Sequence, residues 1–506
     1  MKTAILSLTC GDLSDNVCFR NTRPRSNLCA VESPTMFRFV RLLSLLLLAG
    51  SLVLLSVVAG TAIFAAGQTN ATGAISGGVG VLSCSPAPCV LPPAEGSSGG
   101  FDAPVTAHPA NPQDLIVGSD NLDCPYPTAS GFNLSTDGGS SWGDLVCMVP
   151  IFSNNTEYVP IGSPILGYDH NGVAYVGGFY FDDSGESQFG FEGFEKSTDG
   201  ANWSAPAPAV IRRDSDPYYC WMAVDTNPSS PYANSVYVSC VMSGPNAGPQ
   251  VVVSHSNDGG ATWHQVNVAP AQNSPDRDFY TTMGVGNDGT VYLAWQYCNM
   301  DNACDNGPVY MVFSKSSDGG NTWSKPQVIA TATLIYPLPG TKSIFVPDGP
   351  VIAVDASDGP YTGNLYVTMY NWTGTFMQLQ VVRSTDGGNT WSKPVPVSPG
   401  VTHDQFLPWI SVSPTGLVGV SWLDRRNDPK NTNYQAYAGI SADGGRSFEN
   451  VQLTTAFSDP NKGTANQGIG DYTGNTWDGP NYFVAAWMDN SNSFCMQDYI
   501  GGIRLK

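Results

Sequence analysis

Five short segments each place an aspartate directly before a stretch that is apolar or aromatic. They are IRRDSDPYY (211–219), SPDRDFY (274–280), VPDGP (346–350), VTHDQF (401–406) and IGDYTG (469–474), and the aspartates are Asp216, Asp278, Asp348, Asp404 and Asp471. Two carboxylates that are held close together repel one another, which raises the pKa of one of them. The protonated partner can then act as a general acid and the ionised one as a base or nucleophile, as glycosidic bond cleavage requires.

Arginines accompany some of these acids. Arg277 precedes Asp278, while Arg425 and Arg426 follow Asp424, and a further aspartate, Asp489, ends a similar apolar run. A guanidinium group can bind the carboxylate of an anionic sugar through two parallel hydrogen bonds. Each aspartate, taken singly, could instead cap its own loop by accepting bonds from backbone amides. Both interpretations stay open at the level of sequence.

A repeated octapeptide reveals the elements that must position these residues. STDGGNTW at 384–391 recurs with small changes, and its aspartates are Asp137, Asp199, Asp258, Asp318, Asp386 and Asp443. Successive copies are 62, 59, 60, 68 and 57 residues apart. A regular period of this size indicates a repeat architecture, and about 60 residues suffice for one four-stranded antiparallel unit. We therefore predict an all-β fold, a single β-propeller of four-stranded antiparallel blades.

Counting the repeats favours seven blades, with six as the alternative. Units begin near Ala103, Ser163, Tyr219, Tyr280, Pro350, Phe406 and Asp471. The seventh unit lacks the octapeptide and ends before a fourth strand. Since a ring must close to remove its sheet edges, we expect the missing strand to come from the N-terminal side, near Ala74–Cys84.

The octapeptides themselves are predicted to be structural. Asp and Gly favour a tight turn, because Gly tolerates a positive φ and Asp bonds its own downstream amides. The final Trp can pack between sheets. These turns join the third and fourth strands of a unit, so they mark one face of the ring. The five aspartate-bearing loops join one unit to the next and must lie on the opposite face, around the central channel, where a concave polar site can form.

Repeats of the form S-x-D-x-G-x-x-W at this period resemble the Asp-boxes, or BNR repeats, of the sialidase superfamily of propellers. The resemblance covers about residues 101–506, and VSWLDRRNDP (420–429), GIGDYTG (468–474) and FVAAWMDN (483–490) resemble secreted bacterial sialidase-like proteins. It implies a glycosidase site with a Tyr nucleophile, for which Tyr472 is the candidate, and a cluster of three arginines. The candidate catalytic residues are thus Asp278, Asp404, Asp424, Asp471 and Tyr472, and the candidate substrate-binding residues are Arg277, Arg425, Arg426, Asp216, Asp348 and Asp489.

The N-terminal region reads as a targeting segment. Arg38 and Arg41 precede an apolar run from Leu42 to Phe64, which fits either a signal peptide or a membrane anchor. We divide the chain into an N-terminal extension (1–35), this leader (36–67), a Gly/Ser/Pro-rich linker (68–100) and the propeller (101–506). The protein is expected to be secreted or to face the exterior.

Cysteine spacing agrees with export. The chain has 12 cysteines, and possible disulfides are Cys84–Cys89, Cys298–Cys304, Cys124–Cys147 and Cys220–Cys240. None has the spacing of a zinc site, so structural bridges are favoured over metal. With nine cysteines after the apolar run, at least one, such as Cys495, is left over.

The negative net charge of the chain excludes some classes of ligand. The formal net charge is −20 and only 13% of residues are charged, which argues against nucleic acid and anionic lipid as ligands. We expect a monomer without a required cofactor, with Ca²⁺ on the aspartate ring as an alternative. Three functions stay open: a sialidase-like glycoside hydrolase, a non-catalytic propeller that binds glycan or protein, and a polysaccharide-cleaving propeller that uses two aspartates without an arginine cluster.

Overall fold

A computed structural model describes residues 90–98, 100–121, 123–153, 156–182, 189–212, 214–244, 247–272, 276–299, 306–341, 349–462, 469–492 and 496–505. Within these ranges every regular element is a β-strand, and no helix that could cross a membrane is found among them. The leader, the stretch near Ala74–Cys84, Asp348 and Cys495 lie outside the described residues. The domain boundaries therefore stay predictions.

The strands form seven antiparallel sheets, which we number as blades in chain order. The first strand, β1 (Val90–Ser98), belongs to the last blade. Blade 1 contains β2 (Gly100–Phe101), β3 (Val105–Ala107), β4 (Leu115–Asn121), β5 (Ser130–Ser135) and β6 (Val146–Cys147). Blade 2 contains β7 (Ile151–Ser153), β8 (Thr156–Pro160), β9 (Ile165–Tyr168), β10 (Ala174–Asp182), β11 (Phe191–Ser197) and β12 (Ala207–Ile211).

The next blades each have four strands. Blade 3 contains β13 (Asp216–Val224), β14 (Val236–Gly244), β15 (Ala247–Ser256) and β16 (His264–Asn267). Blade 4 contains β17 (Asp276–Val285), β18 (Val291–Asn299), β19 (Gly307–Ser316) and β20 (Gln327–Leu334). Blade 5 contains β21 (Val351–Val354), β22 (Leu365–Trp372), β23 (Met377–Ser384) and β24 (Val395–Pro396).

The last two blades complete the chain. Blade 6 contains β25 (Gln405–Val412), β26 (Val418–Asp424), β27 (Gln435–Ser441) and β28 (Glu449–Gln452). Blade 7 contains β29 (Gly474–Asp478), β30 (Tyr482–Asp489) and β31 (Gln497–Arg504), together with β1. The predicted all-β propeller and the favoured count of seven blades are confirmed.

The blades form a closed ring. The innermost strand of each blade contacts the innermost strands of both neighbours, and β29 of blade 7 contacts β3 of blade 1. Blade 7 is completed by β1, which pairs antiparallel with β31, so that Val90 lies opposite Ile503 and Ser98 opposite Gln497. The closing strand thus comes from the N-terminal side, as expected. It lies at Val90–Ser98, whereas the sequence had placed it near Ala74–Cys84.

Blade packing explains why the second strands are apolar along their whole length. Every residue of β26 (VGVSWLD) is buried, and seven of the nine residues of β14 (VYVSCVMSG) are buried. A strand with one face in water would alternate, whereas a strand covered on both faces reads as a continuous apolar run. The core is therefore a set of layers between adjacent sheets.

The repeated turns close each blade at its third-to-fourth strand connection, as predicted. In blade 5 the Ser384 hydroxyl accepts a bond from the Gly388 amide (2.8 Å) and donates to Asp386 (2.8 Å). Asp386 in turn accepts bonds from the amide and hydroxyl of Thr390 (2.8 and 2.6 Å), which lower the pKa of Asp386 to about 2. Equivalent bonds surround Asp137, Asp199, Asp258, Asp318 and Asp443. These aspartates are occupied by their own turns.

A side chain from the preceding blade anchors several of these turns. Lys196 Nζ donates to the Gly259 carbonyl (2.6 Å), and Lys315 Nζ donates to the Gly387 carbonyl (2.7 Å). Arg383 donates in the same way to the Gly445 carbonyl (3.3 Å). Each of these cations directly precedes the serine of its own repeated turn. The repeat therefore also links neighbouring blades.

Replacement of Ser384 by alanine is expected to lower the free energy of unfolding by about 1–3 kcal/mol, because the buried Gly388 amide loses its acceptor. Urea denaturation measures the change. Thr385→Ala, an exposed change in the same turn, is the control and should be close to neutral. Equal stability of S384A and the wild type would contradict this role.

Two of the predicted disulfides are confirmed within single blades. Cys124 is bonded to Cys147 in blade 1, and Cys220 is bonded to Cys240 in blade 3. Cys298 is also disulfide-bonded, and its predicted partner Cys304 lies outside the described residues. The Cys220–Cys240 bridge joins the innermost strand of blade 3 to its neighbour, next to the ring axis.

Candidate functional site

A cavity of about 270 Å³ lies at the ring axis. Its lining comes from six of the seven blades and includes Ser163, Tyr219, Tyr280, Gly349, Leu407 and Asp471. In blade 3 it reaches Pro217 to Trp221, the part of β13 that is nearest to the preceding blade-to-blade connection. The repeated turns lie at the other end of the strands. We call this space the axial cavity.

Bulges in the innermost strands shape the axial cavity. The register of β13, β17 and β25 with their neighbours shifts beside Tyr219, Tyr280 and Leu407. These three residues have positive φ values of 51°, 46° and 48°. A bulge leaves one residue unpaired and redirects its side chain, and non-glycine residues with positive φ occur where the surrounding structure imposes them. Ser163, with φ 57°, lines the same cavity in blade 2.

Aromatic rings form most of the wall. The ring centroids of Trp221 and Trp409 are 4.4 Å apart, and Tyr472 lies edge-on to Trp221 at 5.9 Å. Phe179 of blade 2 approaches Tyr218 of blade 3 at 6.1 Å. Rings at these separations attract one another through their quadrupoles. The wall is consequently aromatic and largely apolar.

Two acidic residues line this aromatic space, Asp471 and Glu192. More than a third of the Asp471 surface is accessible, although protein surrounds it on all sides, and burial raises its pKa to about 6. Glu192, on β11, is only 1% exposed, and neither of its carboxylate oxygens has a hydrogen-bond partner among the described residues. Burial raises the pKa of Glu192 well above its ordinary value.

Three more carboxylates lie behind Asp471. Asp102 accepts bonds from the backbone amides of Asp471 and Tyr472, the second at 3.3 Å. Asp120 accepts the Ser163 amide (2.6 Å). Burial, reinforced by the neighbouring carboxylates, raises the pKa of both Asp102 and Asp120. Asp498 is fully buried, and burial raises its pKa to about 7, against a smaller opposing effect of the Ser119 hydroxyl.

Tyr472 lines the cavity with its ring. Its hydroxyl donates to the Pro164 carbonyl (2.9 Å). Burial, and then the negative charges of Asp102 and Asp120, raise the pKa of Tyr472 well above its ordinary value. A phenol in these surroundings holds its proton, and a protonated phenol is a weak nucleophile.

The predicted residues of blade 6 lie elsewhere. Arg425 forms an ion pair with Asp404 (3.0 Å), and both side chains are fully buried. Arg426 forms an ion pair with Asp424 (2.6 Å) and stacks on Tyr437 at 4.2 Å. None of these four residues lines the axial cavity. Each charge already has a partner inside its own blade.

The other predicted residues are also engaged locally. Asp278 accepts bonds from the indole N–H of Trp295 (3.0 Å) and from Gln272 (3.2 Å), and Asp489 accepts the Ser491 amide (2.7 Å). Asp216 accepts the Gly190 amide (2.5 Å) and directly precedes the lining residue Pro217. Arg277 is half-buried on β17. Of the predicted set, the cavity therefore brings together Asp471 and Tyr472, with Asp216 at its edge.

Four carboxylates in or behind the cavity are not among the residues predicted from the sequence: Glu192, Asp102, Asp120 and Asp498. Glu192 and Asp498 lie within third strands, where no site residue is predicted. Asp102 precedes the innermost strand of blade 1, and Asp120 lies near the end of its second strand, β4, so both occupy positions of the predicted kind, but in a blade for which no candidate is named. A signal exists for Glu192, because it interrupts the aromatic stretch FEGF of β11. A carboxylate in such a strand must either find a partner or face an opening.

Metal ligation finds no support in the described ranges, in which no group of three or more His, Cys, Asp or Glu side chains is arranged to hold an ion. The Ca²⁺ alternative stays a prediction.

Comparisons with known proteins complete the picture. No protein-family model matches the chain. Over 235 residues the chain is 26% identical to a sialidase of Micromonospora viridifaciens, a match that covers 43% of this chain and 33% of the relative. The chain thus spans about a third of the length of the curated relative that it matches.

Solved structures with a similar fold include three carbohydrate-active proteins. An ulvan lyase has a TM-score of 0.48 at 15% identity and covers 80% of this chain and 96% of its own. An α-L-arabinanase of Penicillium chrysogenum has a TM-score of 0.42 at 14% identity and covers 67% of this chain and 92% of its own. A Trypanosoma rangeli sialidase in complex with sialic acid has a TM-score of 0.41 at 15% identity and covers 70% of this chain and 56% of its own. The partial match to a sialidase, together with the seven-bladed ring, confirms the resemblance to sialidase-type propellers that the repeats indicate.

Proposed function

We propose that the chain is an exported propeller that hydrolyses glycosidic bonds at the axial cavity. The observation that carries the proposal is the pair of carboxylates, Asp471 and Glu192, in one aromatic cavity at the ring axis. The similarity to a sialidase supports a glycan as the substrate. The disulfides of blades 1 and 3 support an oxidising compartment.

Asp471 is the proposed general acid. Its raised pKa of about 6 keeps a useful fraction of the carboxyl protonated near neutral pH, and its accessible surface lets it reach a leaving-group oxygen. Glu192 is the second carboxylate that the reaction requires. Because burial also raises the pKa of Glu192, it acts as base or nucleophile only when the bound substrate favours its ionised form.

The aromatic wall is the proposed sugar-binding surface. Trp221, Trp409 and Tyr472 offer flat faces and edges for the apolar face of a sugar ring. Such a wall also excludes water, which strengthens the electrostatic interactions of the carboxylates. Binding and chemistry would thus share one small space.

A screen of fluorogenic aryl glycosides tests the proposal. The panel includes a sialoside, a glucoside, an N-acetylglucosaminide and a glucosaminide, each with and without a chelator. We expect turnover of at least one member, without dependence on the chelator. Absence of turnover across a wide panel, with binding retained, would favour the second candidate.

The second candidate is a non-catalytic glycan-binding propeller. It is favoured by one observation: Arg425 and Arg426 are held in ion pairs away from the cavity, so they do not supply the arginine cluster that the resemblance implies. Calorimetric binding of a glycan that the protein leaves intact over long incubation would support this function.

Tyr472→Phe separates the roles of ring and hydroxyl. Because the hydroxyl donates to the Pro164 carbonyl and its pKa is raised, we expect the variant to keep turnover within about tenfold of the wild type, a loss smaller than that of a general acid or base. Steady-state rates measure the effect. A loss of about a thousandfold would instead identify Tyr472 as the nucleophile of a covalent mechanism.

A further inference from the structure

The carboxyl groups in and behind the axial cavity have no basic counterpart among the described lining residues. Glu192 and Asp471 line it, and Asp102, Asp120 and Asp498 lie behind it, whereas none of the described lining residues is Arg, Lys or His. Burial raises the pKa of each of these groups. A bound cation would therefore draw one of them into its ionised form, whereas a bound anion would find no positive partner and would be repelled by any group that is ionised. A carboxylated sugar is disfavoured here for that reason.

Glu192 provides a specific contact for such a cation. The side chain is 1% exposed and lines the cavity, and both carboxylate oxygens lack hydrogen-bond partners among the described residues. Buried carboxylates are normally bonded, because an unmet one costs free energy. Glu195, three residues further along β11, by contrast accepts bonds from the Val149 amide (2.9 Å) and the Tyr180 hydroxyl (3.3 Å).

The aromatic wall favours the same ligand. Phe179, Tyr218, Tyr219 and Trp221 line the cavity together with Glu192. The negative face of an aromatic ring attracts an ammonium group, and rings combined with a carboxylate form a strong site for organic cations. The sugar ring and its cationic group can therefore use the same wall.

We propose that the axial cavity takes a glycosyl unit that carries a free, protonated amine, with the ammonium group against Glu192. The inference rests on the proposed function for the identity of the ligand as a glycan. It departs from a carboxylated sugar, the substrate that the sialidase resemblance implies.

The ion pair would also prepare the site for reaction. In the free protein the raised pKa of Glu192 favours the neutral carboxyl. An ammonium group beside it favours the carboxylate, and the proton leaves to solvent. The amine-bearing substrate would then convert Glu192 into the ionised form that a base or nucleophile needs, whereas a neutral substrate would not.

Tryptophan fluorescence tests the inference, since Trp221 and Trp409 line the cavity. The probes are the methyl glycosides of glucosamine, N-acetylglucosamine, glucose and sialic acid, titrated at neutral pH. We expect the glucosamine derivative to bind about tenfold more tightly than the others or better, as for a buried charge pair. Equal binding of the first three probes, or tighter binding of the sialic acid derivative, would overturn the inference.

Glu192→Gln is the matching variant and Glu157→Gln, a partly exposed change on β8 of the same blade, is its control. E192Q should lose the preference for the amine and E157Q should keep it. A preference that survives in folded E192Q would overturn the role of Glu192. The wild-type titrations decide the ligand class even if E192Q does not fold.

The same probes distinguish this inference from the proposed function. Selective binding of the amine without hydrolysis of its aryl glycoside would overturn the hydrolase and leave the ligand class standing. Hydrolysis of a neutral or acidic glycoside without preference for the amine would overturn the ligand class and leave the hydrolase standing.

Discussion

Asp471→Asn is expected to lower glycoside turnover by a factor of about 10²–10⁴, the usual contribution of a general acid. The amide has nearly the same shape but cannot deliver a proton to the leaving oxygen. Substrate affinity should change little, because the aromatic wall remains. Steady-state rates on the best substrate of the glycoside panel measure the loss, and Asp358→Asn, an exposed change in blade 5, is the control.

The pH dependence of turnover shows whether Asp471 acts in its protonated form. A general acid works while protonated, so wild-type turnover should fall as the pH rises above about 6, the pKa of Asp471 in the folded protein. The residual activity of D471N should lack this alkaline limb. If D471N retained both the wild-type rate and its pH profile, Asp471 would not be the acid.

Asp498→Asn is expected to raise the free energy of unfolding above pH 7, whereas most core substitutions lower it. Burial raises the pKa of Asp498 from 3.8 to about 7, so the folded state binds its proton more tightly than the unfolded state. The contribution of this group to stability is therefore greatest below its ordinary pKa and is lost as the pH rises to about 7. The shift corresponds to a loss on the order of 4 kcal/mol.

The variant removes this pH dependence. D498N should resemble the wild type at acid pH, where Asp498 is neutral, and should be the more stable protein above pH 7. Urea unfolding at the two pH values measures both, and Asp358→Asn should follow the wild type throughout. Asp102 and Asp120 act in the same direction, so part of the slope will remain. A wild-type stability that rises with pH across this window would contradict the argument.

The fold could be predicted from the sequence because each repeated turn is stabilised by hydrogen bonds between residues that are close in the chain. Ser384, Asp386, Gly388 and Trp391 satisfy one another within eight residues, so each copy specifies its turn without help from distant residues. The period then gives the strand order, and Cys220 and Cys240 fall on adjacent strands of one blade. Only the position of the closing strand required contacts between the two ends of the chain.

The site was harder to predict because a carboxylate next to a strand can either bond to a side chain of its own blade or face the ring axis. Asp278 and Asp424 accept hydrogen bonds from the indole groups of Trp295 and Trp422, whereas Asp471 lines the axial cavity. The choice depends on how the strands curve and bulge, which no local motif reports. Glu192 becomes a cavity residue only because blades 2 and 3 leave space beside it, and this spacing is a property of the complete ring.

The pairing of β1 with β31 sets the face of the ring from which the preceding chain leaves. Val90 lies opposite Ile503, near the end of β31, and third strands run towards the repeated-turn face. The chain that precedes Val90 therefore leaves from that face. If the apolar segment Leu42–Phe64 holds the protein in a membrane, the tether would join the ring at the repeated-turn face. The axial cavity opens on the opposite face, so the tether would not obstruct the access of large polymers to it.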